Sequence, residues 1–549
     1  MEVLTKTCEE CRKNFDVTPD ELGMYEQVGV PVSDQCFRCR SKQQLAFWIF
    51  GKFRKGKSDL SGQSLITVLP PKVRYPVYTA KEWFSDDWEA VAMDYDPGKP
   101  FLTQLKELQE KVPRPHQTGE NNVQCDWCDD VWECKNCYLS RSMIHCEDVS
   151  YGYRILRVKD SLDITYCYDT ERSYDCTYCF NCFNLQYSFN CRNAINGKFL
   201  FDCRNVQDCF MCWNLRNKQY CILNQQYSKE EYQKKIAEYR FGSYQAIQSL
   251  KDEWQRNIQD EAVHRENFNV KVTASHGNYL TNCNRCVNAF YWEDSENSYN
   301  VIRGVKTKNI IDVTGSWEME LSGNTADMVG GYQMKYSVWC QHCRYSEYLD
   351  LCVDCEYCFG CVGLKKKRYA ILNKQYTKEE YEKLRDQIIE SMKKDGSYGK
   401  FFPYDMAYSG YNVTQANIFF PETKENIEKL GGSWEDTEDV KAEGQSTSEL
   451  PDAITEIDDS ITTQALVCPE TGYRFNIAPR ELSFYREHSI PLPRFHPDKR
   501  TLNRLEKVSI ISLSPYACFF CKKDIQAYYP LEWGYKKIAC ESCYQQNVA

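Results

Sequence analysis

The apolar positions in the middle of this chain follow neither of the two common periods. Between Cys125 and Cys221 the cysteines stand at 125, 128, 134, 137, 146, 167, 176, 179, 182, 191, 203, 209, 212 and 221, and every interval is a multiple of three. Cys283, Cys286, Cys340, Cys343, Cys352, Cys355, Cys358 and Cys361 keep the same rule. An α-helix does not hold one face at a strict period of three, and a plain strand alternates with period two. A β-solenoid of short strands and tight corners returns equivalent positions to one interior stack, where small apolar cysteines fit. Intervals of 18 residues recur, as from Cys128 to Cys146, Cys191 to Cys209 and Cys343 to Cys361, and predict coils of that length. Asn193, Asn205 and Asn217, each after an arginine, suit the corners because Asn tolerates left-handed backbone.

After each cysteine-rich stretch the pattern turns helical. Ser228 and Thr377 are N-cap candidates with Glu231 and Glu380 three residues on, the spacing of a capping box. Helices are predicted over 229–240 and 378–394. Residues 401–432 space aromatics among polar residues and read as ordered. From 433 to 466 the chain is acidic, rich in Ser and Thr and poor in aromatics, and reads as a flexible linker.

Two internal duplications organise the chain. An offset of 149 maps Cys134 and Cys137 onto Cys283 and Cys286, and Cys203, Cys209 and Cys212 onto Cys352, Cys358 and Cys361. It also maps the block from Tyr220 to Tyr232 onto the block from Tyr369 to Tyr381. An offset of 460 maps the first segment onto the last, with Cys8 on Cys468, Phe15 on Phe475, Pro19 on Pro479, Tyr25 on Tyr485, Arg40 on Arg500 and Tyr75 on Tyr535. Such self-similarity marks repeated structural units. The expected fold is mainly β with α: two duplicated β-solenoid-like cysteine-rich segments, each followed by a helix, flanked by zinc-ribbon modules. The expected boundaries are an N-terminal module at 1–110, one repeat at 120–227, a helical connection at 228–275, a second repeat at 276–376, a helix and extension at 377–432, the linker at 433–466 and a C-terminal module at 467–549.

The ribbons carry the clearest chemistry. Cys8, Cys11, Cys36 and Cys39 form two CxxC pairs, and such pairs supply four thiolates to one tetrahedral ion from two short turns. Cys518, Cys521, Cys540 and Cys543 form a second set. Under the offset of 460 the sets are complementary. The second set faces Ser58, Ser61, Ala80 and Trp83, and the first faces Cys468, Thr471, His496 and Lys499. Each module therefore has two ribbon-like sub-sites and one complete ligand set, so two structural Zn2+ ions are expected. The runs at Cys176, Cys179 and Cys182 and at Cys352 to Cys361 leave an iron–sulfur cluster as the alternative to interior packing. Against a cluster, no fourth cysteine follows the first run at ligand spacing, and its counterparts at 325, 328 and 331 are Thr, Met and Gly.

The motif CxxC…FxVTPDELxxY…VP…CxxCR, the cysteine-rich coils and the block NKQYCILNQQYSKEEY together resemble a group of uncharacterised cysteine-rich zinc-ribbon proteins of candidate-phylum bacteria. The resemblance covers most of the chain. It implies zinc ribbons and carries no activity with it.

Composition narrows the setting. The first residues, MEVLTKTCEECRKN, hold no apolar stretch of the signal-peptide kind, and no run of about 18 apolar residues exists to span a membrane. A reducing, cytoplasmic location is expected, where CxxC pairs read as metal ligands before disulfides. A net charge of −10 argues against general coating of nucleic acid. A local basic stretch remains: Arg38, Arg40, Lys52, Arg54, Lys55 and Lys57, with Phe47, Trp48, Phe50 and Phe53 interleaved. Cations with stacking surfaces suit single-stranded nucleic acid; the other reading is a solvated ribbon face with its aromatics in the module core. Gly51 to Ser58 also matches GxxxxGK[ST], but Gly62, β-branched residues and Pro70-Pro71 follow where a phosphate loop needs a helix. Neither a zinc-protease pattern nor a GxSxG elbow is present, so no catalytic residue is assigned. The leading expectation is a zinc-binding, non-enzymatic scaffold with a protein partner and no membrane association. The alternative is a nucleic-acid or ribosome-associated protein using residues 38–57.

Overall fold

The period of three has a backbone cause. In the computed structural model, which describes residues 2–436, 443–508 and 511–548, every third residue from Asp130 to Tyr220 and from Arg285 to Gly360 turns into the left-handed region. Asp175, Tyr178, Asn181, Asn184, Tyr187, Asn190, Asn193 and Asn196 do so in succession, with φ between 49° and 55°. Each such residue makes a corner, and each three-residue side turns one side chain inward. Parallel strands then pair residue i with residue i+12: Arg192 with Arg204, Leu200 with Cys212, Cys209 with Cys221, and likewise Glu296 with Lys308 and Glu356 with Arg368. Twelve residues, four of them left-handed, make one step of the parallel pairing. This replaces the 18-residue step expected from cysteine spacing. Any multiple of three preserves the inward phase, and only backbone pairing selects among the multiples.

The fold is mainly β with helices, and the chain divides into two units. One comprises Met1–Gln117 with Asn267–Glu435, the other Thr118–Glu266 with Asp436–Ala549. The N-terminal module thus shares a unit with the second cysteine-rich segment, and the C-terminal module with the first.

In the first unit the parallel strands run from His276–Thr281 to Arg368–Ile371 and include a 28-residue element, Lys308–Lys335. Leu372 and Asn373, both left-handed, turn the chain into the antiparallel strand Lys374–Gln375, which ends the sheet. Thr377 and Glu380 then form the expected capping box of helix Lys378–Asp395. The N-terminal helices Pro19–Val28 and Phe37–Leu45 belong to the same unit, and Tyr25, Val28, Phe47, Tyr336, Phe401 and Phe402 share one apolar core.

The second unit repeats the plan. Its parallel strands run from Cys128–Trp132 to Gln219–Ile222 and end in the antiparallel strand Gln225–Gln226. Ser228 and Glu231 box the helix Lys229–Ile236, and a longer helix, Tyr244–Asp260, lays Ile247, Leu250, Trp254 and Ile258 into the core. Leu450, Ile454, Ile457 and Ile461 are buried in that same core. The flexible-linker reading of 433–466 therefore fails for residues 443–466: a few apolar side chains at spacings of three and four anchor a segment that is acidic on average. Residues 437–442 lie outside the described residues.

None of the 31 cysteines is in a disulfide, and every central one is buried. Their inward position answers a polar demand as well as an apolar one. The Cys167 thiol donates to the Thr165 carbonyl at 3.4 Å and accepts the Cys179 N–H, twelve residues on, at 3.3 Å. Ser188 makes the same two bonds, to the Gln186 carbonyl at 2.9 Å and from the Leu200 N–H at 3.1 Å. An inward N–H has no water to turn to, so a small side chain carrying one donor and one acceptor is favoured there. No helix among the described residues is long and apolar enough to cross a membrane.

Candidate metal centres

Each cysteine tetrad is assembled from a hairpin turn and a helix start. Cys8 and Cys11 sit in the turn between the antiparallel strands Leu4–Thr7 and Asn14–Val17. The Cys8 N–H donates to the Lys13 carbonyl at 2.9 Å, and the Arg12 N–H to the Cys8 carbonyl at 3.0 Å, with Arg12 left-handed at φ 62°. Cys36 is the N-cap of helix Phe37–Leu45 and Cys39 lies in its first turn. The second tetrad repeats this. Cys518 and Cys521 occupy the turn between Ser514–Ala517 and Asp524–Ala527, Lys522 is left-handed at φ 61°, Cys540 caps helix Glu541–Asn547 and Cys543 follows in it.

Among the described residues these are the two groups of at least three Cys, His, Asp or Glu whose donor atoms all lie within 4.8 Å of one another. The Cys11 and Cys36 sulfurs are 3.8 Å apart, and Cys540 lies 3.7 Å from Cys518 and 3.9 Å from Cys521. A tetrahedron of sulfurs about 2.3 Å from a zinc-sized ion has edges of about 3.8 Å, whereas a disulfide needs about 2 Å. The donor sets therefore fit a metal ion. In both tetrads the first and last cysteines are buried, the second is exposed and the third is half-buried.

Thiolates are the ligating form, and in each tetrad one thiol, Cys36 or Cys518, is drawn toward it, while Cys11, Cys39 and Cys543 are pushed up. Hydrogen bonding with the Cys39 thiol is the main cause that brings Cys36 down to about 4. Burial pushes the Cys518 thiol up, but N–H groups of Cys540, Cys521 and Phe520 outweigh it and bring it to about 6. Four protein sulfurs leave no open position for substrate, which is the character of a structural site.

The two sub-sites without a full tetrad keep the turn and change what holds it. At Ser58 the same pair of bonds forms, Ser58 N–H to Gln63 and Gly62 N–H to Ser58. The Ser58 hydroxyl then donates to the Glu82 carboxylate at 2.5 Å, and Glu82 also closes the capping box of Thr79. Hydrogen bonds from the Ser58 and Ser61 hydroxyls hold Glu82 down to about 2. At Cys468 the turn again forms, with Gly472 at φ 67°. There His496 accepts the Asp498 N–H through Nδ1 at 3.1 Å, and Lys499 pairs with Glu470 at 3.0 Å. Side chains, Ser58 with Glu82 and Glu470 with Lys499, bridge turn and helix where four sulfurs converge in the complete tetrads.

The basic stretch does not form one face. Arg40 is buried, 5 % exposed, with its guanidinium 2.8 Å from Asp312, and it is removed from the nucleic-acid set. Its charge is committed to a carboxylate inside the unit. Arg54 is half-buried and donates to the carbonyls of Leu69 and Pro70 at 2.6 Å each. Phe47 and Trp48 are buried, so they offer no stacking platform. Arg38, Lys52, Lys55 and Lys57 are exposed. The GxxxxGKS segment leads into strand Arg54–Lys57, paired with Ser64–Thr67, and no helix follows it. Sequence reasoning missed the buried Arg40–Asp312 pair, because no local signal ties residues so far apart.

No protein-family model matches the chain, and no curated protein sequence matches it significantly.

Proposed function

We propose that this protein is a zinc-stabilised, non-enzymatic scaffold of the cytoplasm whose cysteine-rich segments are β-solenoids with twelve-residue coils. The observation that carries the reading is the sulfur spacing of 3.7–3.9 Å within tetrads that leave no ligand position open. Supporting it, the central thiols are engaged by backbone groups of neighbouring coils and are not left for chemistry. The long flanks of such a ladder suit a protein partner. Likeness to the cysteine-rich zinc-ribbon proteins of candidate-phylum bacteria belongs to the same reading. The nucleic-acid alternative loses ground from the burial of Arg40, Phe47 and Trp48. Elemental analysis of the intact chain tests the proposal. We expect about two zinc ions per chain, and chelation that lowers the melting temperature without any visible absorption band before or after. Iron, visible absorption or a stoichiometry other than two would overturn it. Salt-dependent RNA binding abolished by joint substitution of Lys52, Lys55 and Lys57 would favour the alternative instead.

A further inference from the structure

One cavity of the first unit has no counterpart in the second by charge. It measures about 620 Å³ and is lined by Arg54, Lys57, Arg74 and Tyr75, with Val73 and Pro76 as apolar wall. That size is ordinary for a small-molecule site. Its cations are differently placed. Arg54 is braced by two backbone carbonyls, Arg74 is loosely paired with Glu110 at 3.6 Å, and Lys57 is exposed and makes no side-chain ion pair among the described residues. Of the acids at the rim, Asp59 accepts the Val77 N–H at 2.7 Å. Behind Tyr75, Arg114 lies 5.0 Å over the ring, with its charge committed to Asp350.

The duplicated module supplies the comparison. Under the offset of 460, Arg54, Lys57 and Arg74 correspond to Ser514, Ala517 and Gly534. In the second unit Gly534 is left-handed at φ 64°, and a Cβ there would meet the Gln259 side-chain amide, Nε2, at 2.6 Å. Gln259 also bonds the Trp533 carbonyl at 3.1 Å and the Lys536 N–H at 3.0 Å, and His264 stacks on Tyr535 at 3.7 Å. The helix Tyr244–Asp260 and the strand after it thus close this region in the second unit. In the first unit Ser58 and Ser61 stand where the second module has Cys518 and Cys521, and three cations surround an open space.

We propose that this cavity binds a small organic anion, a phosphate or carboxylate group on a planar body, with the oxyanion held by Lys57 and Arg74 and the body against Tyr75. Arg54 is the braced wall of the site. Charge-assisted bonds from arginine and lysine are the strong interactions available for such a ligand. The binding is independent of the metal sites.

Calorimetric titration of the full, zinc-loaded chain with adenosine 5′-monophosphate, benzoate and inorganic phosphate tests it. We expect saturable binding of the nucleotide or of benzoate, tighter than that of inorganic phosphate, weakened about tenfold by Lys57→Ala and by Arg74→Gly. Which of the two organic probes binds separates phosphate from carboxylate recognition. Arg74→Gly installs the residue the second module already tolerates at this position, so loss of folding is not the expected cause of weakening; unchanged zinc content and melting temperature check this. Absence of saturable binding by all three probes, binding of inorganic phosphate as tight as that of the organic anions, or affinities unmoved by both substitutions would overturn the proposal.

Discussion

Arg40 is buried against Asp312, and Arg500, its counterpart by the offset of 460, is buried against Asp163, the counterpart of Asp312 by the offset of 149. One ion pair therefore recurs in both units, each time joining a ribbon module to a cysteine-rich segment far away in sequence. The neighbours recur with it. Gln44 bonds Thr314, and Arg504, the counterpart of Gln44, bonds Thr165, the counterpart of Thr314. Glu21 accepts from Asn300 in the first unit, while the equivalent Glu481 is buried beside Tyr151 in the second. The contact is a docking code, written twice.

Removing Arg40 leaves the Asp312 carboxylate buried without its counterion, whereas removing Arg500 leaves Asp163 paired with Arg504. We expect Arg40→Ala to cost about 3–5 kcal/mol in chemical denaturation and Arg500→Ala to cost less. Asp163→Ala should cost more than Asp312→Ala, because Asp163 serves Arg504 at 2.9 Å as well as Arg500. Equal, sub-kilocalorie effects would show that these carboxylates do not hold the modules.

The two tetrads are independent sets of ligands. Cys36→Ser and Cys540→Ser should each lower the metal content of the intact chain by one ion, and the double variant should hold none. The replacement of Cys203, which is fully buried among the central thiols, by Ala should leave the metal content unchanged. Elemental analysis of the four purified proteins reads this directly.

The central thiols make a sharper test of what the interior requires. Cys167→Ser preserves both the donor and the acceptor and should cost less than about 1.5 kcal/mol. Cys167→Ala leaves the Cys179 N–H without its partner and should cost about 1–3 kcal/mol. If Ala is tolerated better than Ser, the interior is simply apolar and the hydrogen-bond argument falls.

Asp129 gives a pH signature. Burial pushes its carboxyl up to about 7, against which the Thr118 N–H at 3.0 Å only partly pulls. The folded value lies above the unfolded one, so the folded state binds the proton more tightly. The stability tied to this group is present below the ordinary carboxylate range and is lost as pH rises through about 7. Asp129→Asn keeps an acceptor for Thr118 and removes the charge. Its melting temperature should exceed that of the parent above pH 7 and converge with it near pH 4, measured by thermal scans across that range.

Local pattern and distant pairing contributed different things to this protein. The period of three, the capping boxes at Ser228 and Thr377 and the two cysteine tetrads are legible in the sequence, because each depends on residues a few positions apart and on the conformations those residues prefer. The step of the ladder is not, since 12 and 18 residues keep the inward phase equally well and only the backbone pairing of residue i with residue i+12 selects 12. Nor could composition reveal that Ile454 and its neighbours anchor an acidic stretch, or that Arg40 turns inward to Asp312. Those outcomes rest on which surfaces meet, and burial of a charge or an apolar side chain has no value until its partner is in place. The crossing of modules between units is of the same kind: the sequence writes the two halves of each contact far apart, and only the folded chain brings Arg40 to the second segment and Arg500 to the first.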